Sequence, residues 1–230
     1  MSRRNKLQKF ADLQKLDNVY ENFSVQHPQL VATGNTPVDL KGCWGARHFG
    51  NAHPLTLELG CGKGEYTVGL GRRYPDRNFI GVDIKGARIW KGATQSHREA
   101  LSNVAFLRTR IECITAFFGP GEVDEIWITF PDPFPRDSKV NRRLTAPVFL
   151  KRYRMLLKKR GLVHLKTDDP GLYAFTLETI EADPACDLLY ASDDVYAGDL
   201  AYDELAIQTF YERMHLADGR TIKYLRFTIH

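Results

Sequence analysis

The sequence predicts an α/β protein: an open, mostly parallel twisted sheet with helices on both faces and an antiparallel edge strand. Three observations lead there. From Leu55 onward, apolar runs of strand length alternate with helical patterns, as strand–helix–strand crossovers require. A glycine-rich turn stands directly after the first of these runs. Two late strand patterns follow one another without a clear helix between them, so they are expected to pair antiparallel.

Taken in order, residues 1–53 carry no strong strand pattern and read as a partly irregular N-terminal extension. A short helix is expected around Arg4–Lys15, and Gly34, Pro37, Gly42, Gly45 and Gly50 mark loops. Residues 54–230 read as a single domain. Leu55–Leu59 is a buried strand ending in Gly60-Cys61-Gly62-Lys63-Gly64. A helix over Glu65–Tyr74 is closed by Pro75. Asn78–Val82 is the second strand, followed by Asp83 and a helix near Ala87–Ala100. Val104–Leu107 is the third strand, Ile111–Phe118 a short helix and Glu125–Phe130 the fourth strand. Prolines 131, 133 and 135 forbid helix and central strand, so a loop leaves the end of strand four. Pro147–Leu157 is a helix with proline in its first turn. Gly161–Lys166 is the fifth strand, Pro170–Glu181 a helix, and Leu188–Tyr190 and Thr221–Ile229 the late strands.

Composition bounds the function. The chain's 230 residues, 43% apolar and 26% charged, suit one α/β domain with a short appendage. A net charge of +4 permits an anionic partner without identifying one. Basic residues gather at Arg3, Arg4, Lys6 and Lys9, and again at Arg136, Lys139, Arg142 and Arg143. A third group, Lys151 to Arg160, also reads as a solvated helix face. The four cysteines stand alone at 43, 61, 113 and 186, which argues against a zinc site or redox pair and for a reducing compartment. No apolar run reaches membrane-spanning length, and the N-terminus lacks a signal-peptide core. A cytoplasmic protein without metal or membrane partner is expected, as a monomer or homodimer.

In open α/β sheets, ligands bind outside the carboxyl ends of the strands. This directs attention to loops 60–64, 83–86, 108–111, 131–143 and 167–170. The first lacks the GxGxxG spacing of a dinucleotide fingerprint, and Gly64 follows Lys63 where a P-loop needs Ser or Thr. The arrangement Glu58-x-Gly60-x-Gly62-x-Gly64 resembles motif I of class I methyltransferases on the Rossmann-like fold. Glu58 is a carboxylate able to attract a ligand's amino group, directly or through water. Asp83 closes the second strand, where an acid accepts hydrogen bonds from ribose hydroxyls.

The next set is more specific. Phe130-Pro131-Asp132-Pro133-Phe134-Pro135 leads to Lys139, Asn141, Arg142, Arg143 and Leu144. Lys166-Thr167-Asp168 and Thr209-Phe210-Tyr211-Glu212 follow, and the closing strand holds Thr221-Ile222-Lys223 and Phe227. From about Leu55 to the C-terminus the chain resembles the bacterial tRNA (guanine-N7)-methyltransferases. That resemblance implies methyl transfer from S-adenosylmethionine to N7 of a guanine, at position 46 in the tRNA variable loop. It implies cofactor contacts at Glu58, Gly60, Gly62, Gly64, Asp83, Thr109, Arg110 and Asp132, with Asp132 also the central, catalytic acid. Substrate contacts are implied at Arg136, Asp168, Thr209, Tyr211 and Glu212. Arg136 stands where the family commonly has lysine, and Phe134 where it usually has tryptophan. After the third strand, Arg110 stands where the family commonly has an aspartate near the adenine. A cation cannot accept from the adenine amino group, so Thr109 or a backbone carbonyl takes that contact.

Guanine N7 carries a lone pair and no proton at neutral pH, so methylation there needs alignment and charge support rather than a strong base. Other readings stay open: Asp132 as a turn residue, Asp168 as a helix N-cap before Pro170, Glu212 as a surface acid. Arg142 and Arg143 read as phosphate contacts or as solvated loop residues. For the whole chain, the alternatives are a non-catalytic RNA-binding module on the same fold and an NAD-linked oxidoreductase.

Overall fold

The computed structural model describes residues 4–230. Arg3, at the head of the first basic cluster, lies outside the described residues. By packing, the chain divides into one unit ending at Gly119 and a second running Pro120–His230.

The first unit opens with helix α1 (Lys6–Leu13). A capping box begins it: the Asn5 side chain accepts from Gln8 N, and the Gln8 side chain accepts from Asn5 N, both at 2.9 Å. Strand β1 (Val19–Glu21) follows, then β2 (Val31–Ala32), β3 (Thr36–Pro37), β4 (Leu55–Leu59) and helix α2 (Glu65–Arg73). Strand β5 (Asn78–Asp83), helix α3 (Gly86–Arg98) and β6 (Val104–Arg108) complete it. The strands lie in the order β3-β2-β1-β6-β5-β4. β1, β6, β5 and β4 run parallel; beyond β1, β2 pairs antiparallel to β1 and β3 antiparallel to β2.

Strands inside residues 1–53 are a departure from the sequence reading. β1 has three residues, too few for any periodicity, and it exists because its backbone pairs with β6. Trp44 is fully buried in a π-helical turn (Trp44–Phe49). Its Nε1 donates to Phe117 O at 2.8 Å, and its ring stacks on Phe118. The N-terminal stretch is thus packed into the first unit's core.

The second unit holds strand β7 (Val123–Thr129), helix α4 (Pro147–Leu156), strand β8 (Leu157–Thr167) and helix α5 (Pro170–Ala182). Strand β9 (Cys186–Ser192), helix α6 (Phe210–Ala217) and strand β10 (Lys223–Ile229) follow. The order is β7-β8-β10-β9, with β7 and β8 parallel and β10 antiparallel to both its neighbours. The antiparallel edge expected from sequence is therefore β9, held by β10. A helix does separate the two late strands. α6 escapes the sequence pattern because its sole buried residue is the charged Glu212. One face of this sheet is polar and buried: His164 stacks on Trp127 at 4.0 Å between centroids and meets both Glu125 and the Tyr224 hydroxyl at 2.7 Å.

Candidate functional site

In the first unit, β4 delivers the glycine loop. Gly60, Gly62 and Gly64 have φ of 79°, 56° and 70°, the left-handed region that side chains disfavour. Gly60 N and Cys61 N donate to Val82 O at 2.8 and 3.0 Å, and Gly64 N turns back to Cys61 O at 2.8 Å. The loop is thereby folded tightly against the end of β5. A Cβ on Gly64 would lie 2.5 Å from the Phe106 ring. One on Gly62 would meet nothing nearer than Gly60 O at 4.0 Å, so the backbone there is open to a ligand.

Asp83 joins this loop to the next. Its Oδ2 accepts from Gly62 N at 2.9 Å and its Oδ1 from Lys85 N at 2.7 Å. Each oxygen retains a second lone pair, so this pair of acceptors fits the paired hydroxyls of a ribose. Glu58 is buried, and its Oε2 accepts from Thr67 N at 2.8 Å and from the Thr67 hydroxyl. It caps the first turn of α2, which the sequence reading did not foresee. The Cys61 thiol is pushed well up by burial and then by Glu58 and Asp83, which keeps it protonated. Thr109 is buried; its hydroxyl accepts from Asn22 Nδ2 at 3.1 Å, and its N donates to Asp83 O at 3.1 Å. Arg110 is exposed and pairs with Glu112 at 3.1 Å. Asn22, in the N-terminal stretch, carries no sequence motif that would have marked it.

In the second unit, the Pro-Asp-Pro loop leaves β7 between two aromatic residues of positive φ, Phe130 (49°) and Phe134 (43°). Bulky residues in that region store roughly 1–3 kcal/mol of strain each, a feature that gathers at functional loops. Asp132 is exposed on this loop. Arg143 fastens the loop: Nε donates to Pro133 O at 3.0 Å and Nη2 to Phe134 O at 3.2 Å. Its guanidinium lies 4.4 Å from the Phe175 ring centre. Arg142 is exposed, 4.8 Å over the Phe134 ring, and Arg136 is exposed at the head of the 3-10 turn Asp137–Arg142.

At the end of β8, Asp169 rather than Asp168 caps α5, accepting from Leu172 N at 2.6 Å. Asp168 instead accepts from Arg220 Nη1 at 2.7 Å and lies 3.5 Å from His215 Nδ1. The His215 ring is 5.8 Å from the ring of Phe130, so the root of the Pro-Asp-Pro loop, β8 and α6 converge here. Thr209 caps α6 by accepting from Glu212 N at 3.1 Å. Tyr211 is 38% exposed. Glu212 is fully buried: its Oε1 lies 2.6 Å from Lys166 Nζ and accepts from the Tyr196 hydroxyl at 2.6 Å. Tyr196 carries no sequence motif, and Lys166 enters the sequence reading only as part of Lys166-Thr167-Asp168, with no role of its own. The signal was a lysine at the end of an apolar strand pattern, which demands a buried counter-ion. Among the described residues there is no group of three or more His, Cys, Asp or Glu disposed to hold a metal, and no helix long and apolar enough to cross a membrane.

Parallel strands with a glycine turn after β4 and an acid closing β5 in the first unit, and an antiparallel β10 in the second, are the elements of a class I methyltransferase fold. The family model Methyltransf_4, described as "Putative methyltransferase", matches residues 52–225. A Bacteroides thetaiotaomicron protein named tRNA (guanine-N(7)-)-methyltransferase is 49% identical over 98% of this chain and 86% of its own. Relatives of the same name come from Christiangramia forsetii (46% over all of both chains) and Bacillus subtilis (34% over 84% and 87%). The chain belongs to the tRNA (guanine-N7)-methyltransferase family. Among solved structures, the aminoglycoside resistance methyltransferase NpmB1 superposes with a TM-score of 0.59 at 18% identity, over 86% of this chain and 97% of that one. The 16S rRNA methyltransferase KamB gives 0.60 at 15% identity, over 85% and 97%. At these identities the likeness speaks for the fold alone.

Proposed function

We propose that this protein transfers the methyl group of S-adenosylmethionine to N7 of a guanine in tRNA, position 46 of the variable loop, in the cytoplasm. The observation that carries the proposal is 46% identity, over the whole of both chains, to a relative whose name states the reaction. When bound, S-adenosylmethionine supplies an electrophilic sulfonium methyl.

The chain's own residues then have distinct tasks. Asp83 accepts from the ribose hydroxyls while keeping its bonds to Gly62 N and Lys85 N. The glycine loop brings bare backbone against the ligand, and Glu58 fixes the entry of α2 rather than carrying the charge recognition alone. The Thr109 segment borders the adenine. Asp132, held between prolines, supports the cationic charge that passes to the purine and aligns N7 with the methyl. No proton leaves N7, so no general base is assigned. The guanine leaves its stack to reach the cofactor, as in other base-modifying enzymes. Glu212 meets its Watson–Crick edge, accepting from N1–H and the exocyclic amine, whereas adenine would present an acceptor there. Asp168, Thr209 and Tyr211 line the substrate side, and Arg136 and Arg142 contact phosphates.

The test is a labelled-methyl assay on unmodified tRNA with mapping of the modified base. Methyl at N7 of guanine 46 is expected. Asp132→Ala should reduce turnover on the order of 100-fold with little change in cofactor affinity. Methyl on another base, or full turnover in Asp132→Ala, would refute the assignment. Binding of NAD in place of S-adenosylmethionine would refute the cofactor.

A further inference from the structure

We infer that Lys166 and Tyr196 are positioning residues for Glu212: together they hold one carboxylate oxygen and leave the other, ionised, as the acceptor for guanine. This deepens the reading of Glu212 given above and rests on it.

The side chains of Lys166 and Glu212 are both 0% exposed. A buried ammonium must fill its three donor positions. Lys166 Nζ does so with Glu212 Oε1 at 2.6 Å, Leu205 O at 3.0 Å and Ile207 O at 3.3 Å. Oε1 of Glu212 also accepts from the Tyr196 hydroxyl at 2.6 Å, which fills both of its lone pairs. Gln208 Nε2 donates to the same hydroxyl at 3.1 Å, so the Tyr196 proton is directed at Glu212. The second carboxylate oxygen, Oε2, is buried and has no hydrogen-bond partner among the described residues.

A purely structural ion pair would be expected to engage both oxygens, because a buried unpaired acceptor is costly, the more so when charged. One oxygen saturated and the other bare is an arrangement completed by an outside donor. Guanine's N1–H and exocyclic amine are such donors; adenine's bare N1 is not. The same short segment supplies Leu205, Ile207, Gln208 and the Thr209 cap, so it fixes the ammonium, the phenol and the start of Glu212's helix together. Burial pulls the Lys166 pKa down against the opposing pull of Glu212. Lys166 from β8 and Tyr196 from the segment after β9 are the titratable groups bonded to Glu212. On its own helix, Arg213 turns to Gln208 O and His215 to Asp168.

The experiment measures methyl transfer to tRNA against pH, S-adenosylhomocysteine affinity and thermal midpoint for Lys166→Met, Tyr196→Phe and the double variant Lys166→Met/Glu212→Gln. Without its counter-ion Glu212 protonates more readily. Lys166→Met should therefore lose about tenfold or more in kcat at pH 7. The acidic limb of its profile should move up by about one pH unit or more, so that rate returns as pH rises. Tyr196→Phe, removing a neutral donor, should give the same shift at smaller size and keeps the test decisive if Lys166→Met does not fold. Product affinity should hold in both. The double variant should regain thermal stability without regaining rate. Single variants that lose stability alone, with wild-type kcat and an unshifted profile, would overturn the inference, as would recovery of rate in the double variant. Wild-type transfer by Glu212→Gln alone would instead remove Glu212 from guanine recognition, and this inference with it.

Discussion

Gly64 meets two independent constraints: a φ of 70° and a Phe106 ring carbon 2.5 Å from where a Cβ would stand. Gly62, at 56°, meets the first alone. Alanine at Gly62 should cost on the order of 1 kcal/mol of unfolding free energy, and alanine at Gly64 roughly 1–3 kcal/mol more, because a packed ring must also shift. Chemical denaturation of the two variants checks the order, and a smaller loss at Gly64 would contradict it. His48 offers a second test. Burial pulls its pKa from 6.5 down to about 4, partly opposed by Asp17, and its Nδ1 lies 2.7 Å from the Tyr20 hydroxyl. Between those values the unfolded chain binds the proton that the folded chain refuses. Stability is therefore highest above about pH 6.5 and is lost progressively as pH falls toward 4, by about 2–3 kcal/mol at this site. His48→Gln should flatten that part of the stability–pH curve.

The Pro-Asp-Pro loop shows how one element divides labour between adjacent, chemically identical residues. Arg142 and Arg143 read alike in sequence, as phosphate contacts or solvated surface. In the fold Arg143 donates to two loop carbonyls and stacks over Phe175, whereas Arg142 is exposed over Phe134. Their alanine variants should therefore separate. Arg142→Ala should weaken tRNA binding and lower its salt slope by about one counterion. Arg143→Ala should leave the salt slope nearer wild type and reduce turnover, because the strained loop carrying Asp132 loses its fastening. Equal salt slopes for both variants would refute this division.

Across the molecule, the implied cofactor contacts from Glu58 to Arg110 fall in the first packed unit. Asp132, implied both as catalytic acid and as cofactor contact, and the implied substrate contacts from Arg136 to Glu212 fall in the second. A ligand that binds only the folded chain stabilises it by RT ln(1 + [L]/Kd), about 2.7 kcal/mol at one hundred times Kd. S-adenosylhomocysteine at that excess should raise the thermal midpoint, and NAD at the same concentration should not. An unchanged midpoint with S-adenosylhomocysteine, or a rise with NAD, would contradict the cofactor proposal.

Much of this was legible along the chain because it is local. Strand-length apolar runs, helix-compatible prolines at 147 and 170, and glycines at alternate positions after β4 each express a short-range physical demand. The glycine loop, Asp83, the Pro-Asp-Pro loop and the family resemblance followed from them. Partnerships between distant residues were not legible. Three-residue β1 exists because β6 offers it a ladder, and α6 is anchored by a buried charge that breaks the apolar pattern by which helices are read. Glu58 binding Thr67, Asp169 replacing Asp168 as a cap, and Arg143 turning inward were decided by which backbone groups lay within reach once the chain had folded. The Lys166–Glu212 pair depends on it most: 46 positions separate the two residues, and only burial beside one another makes either charge tolerable.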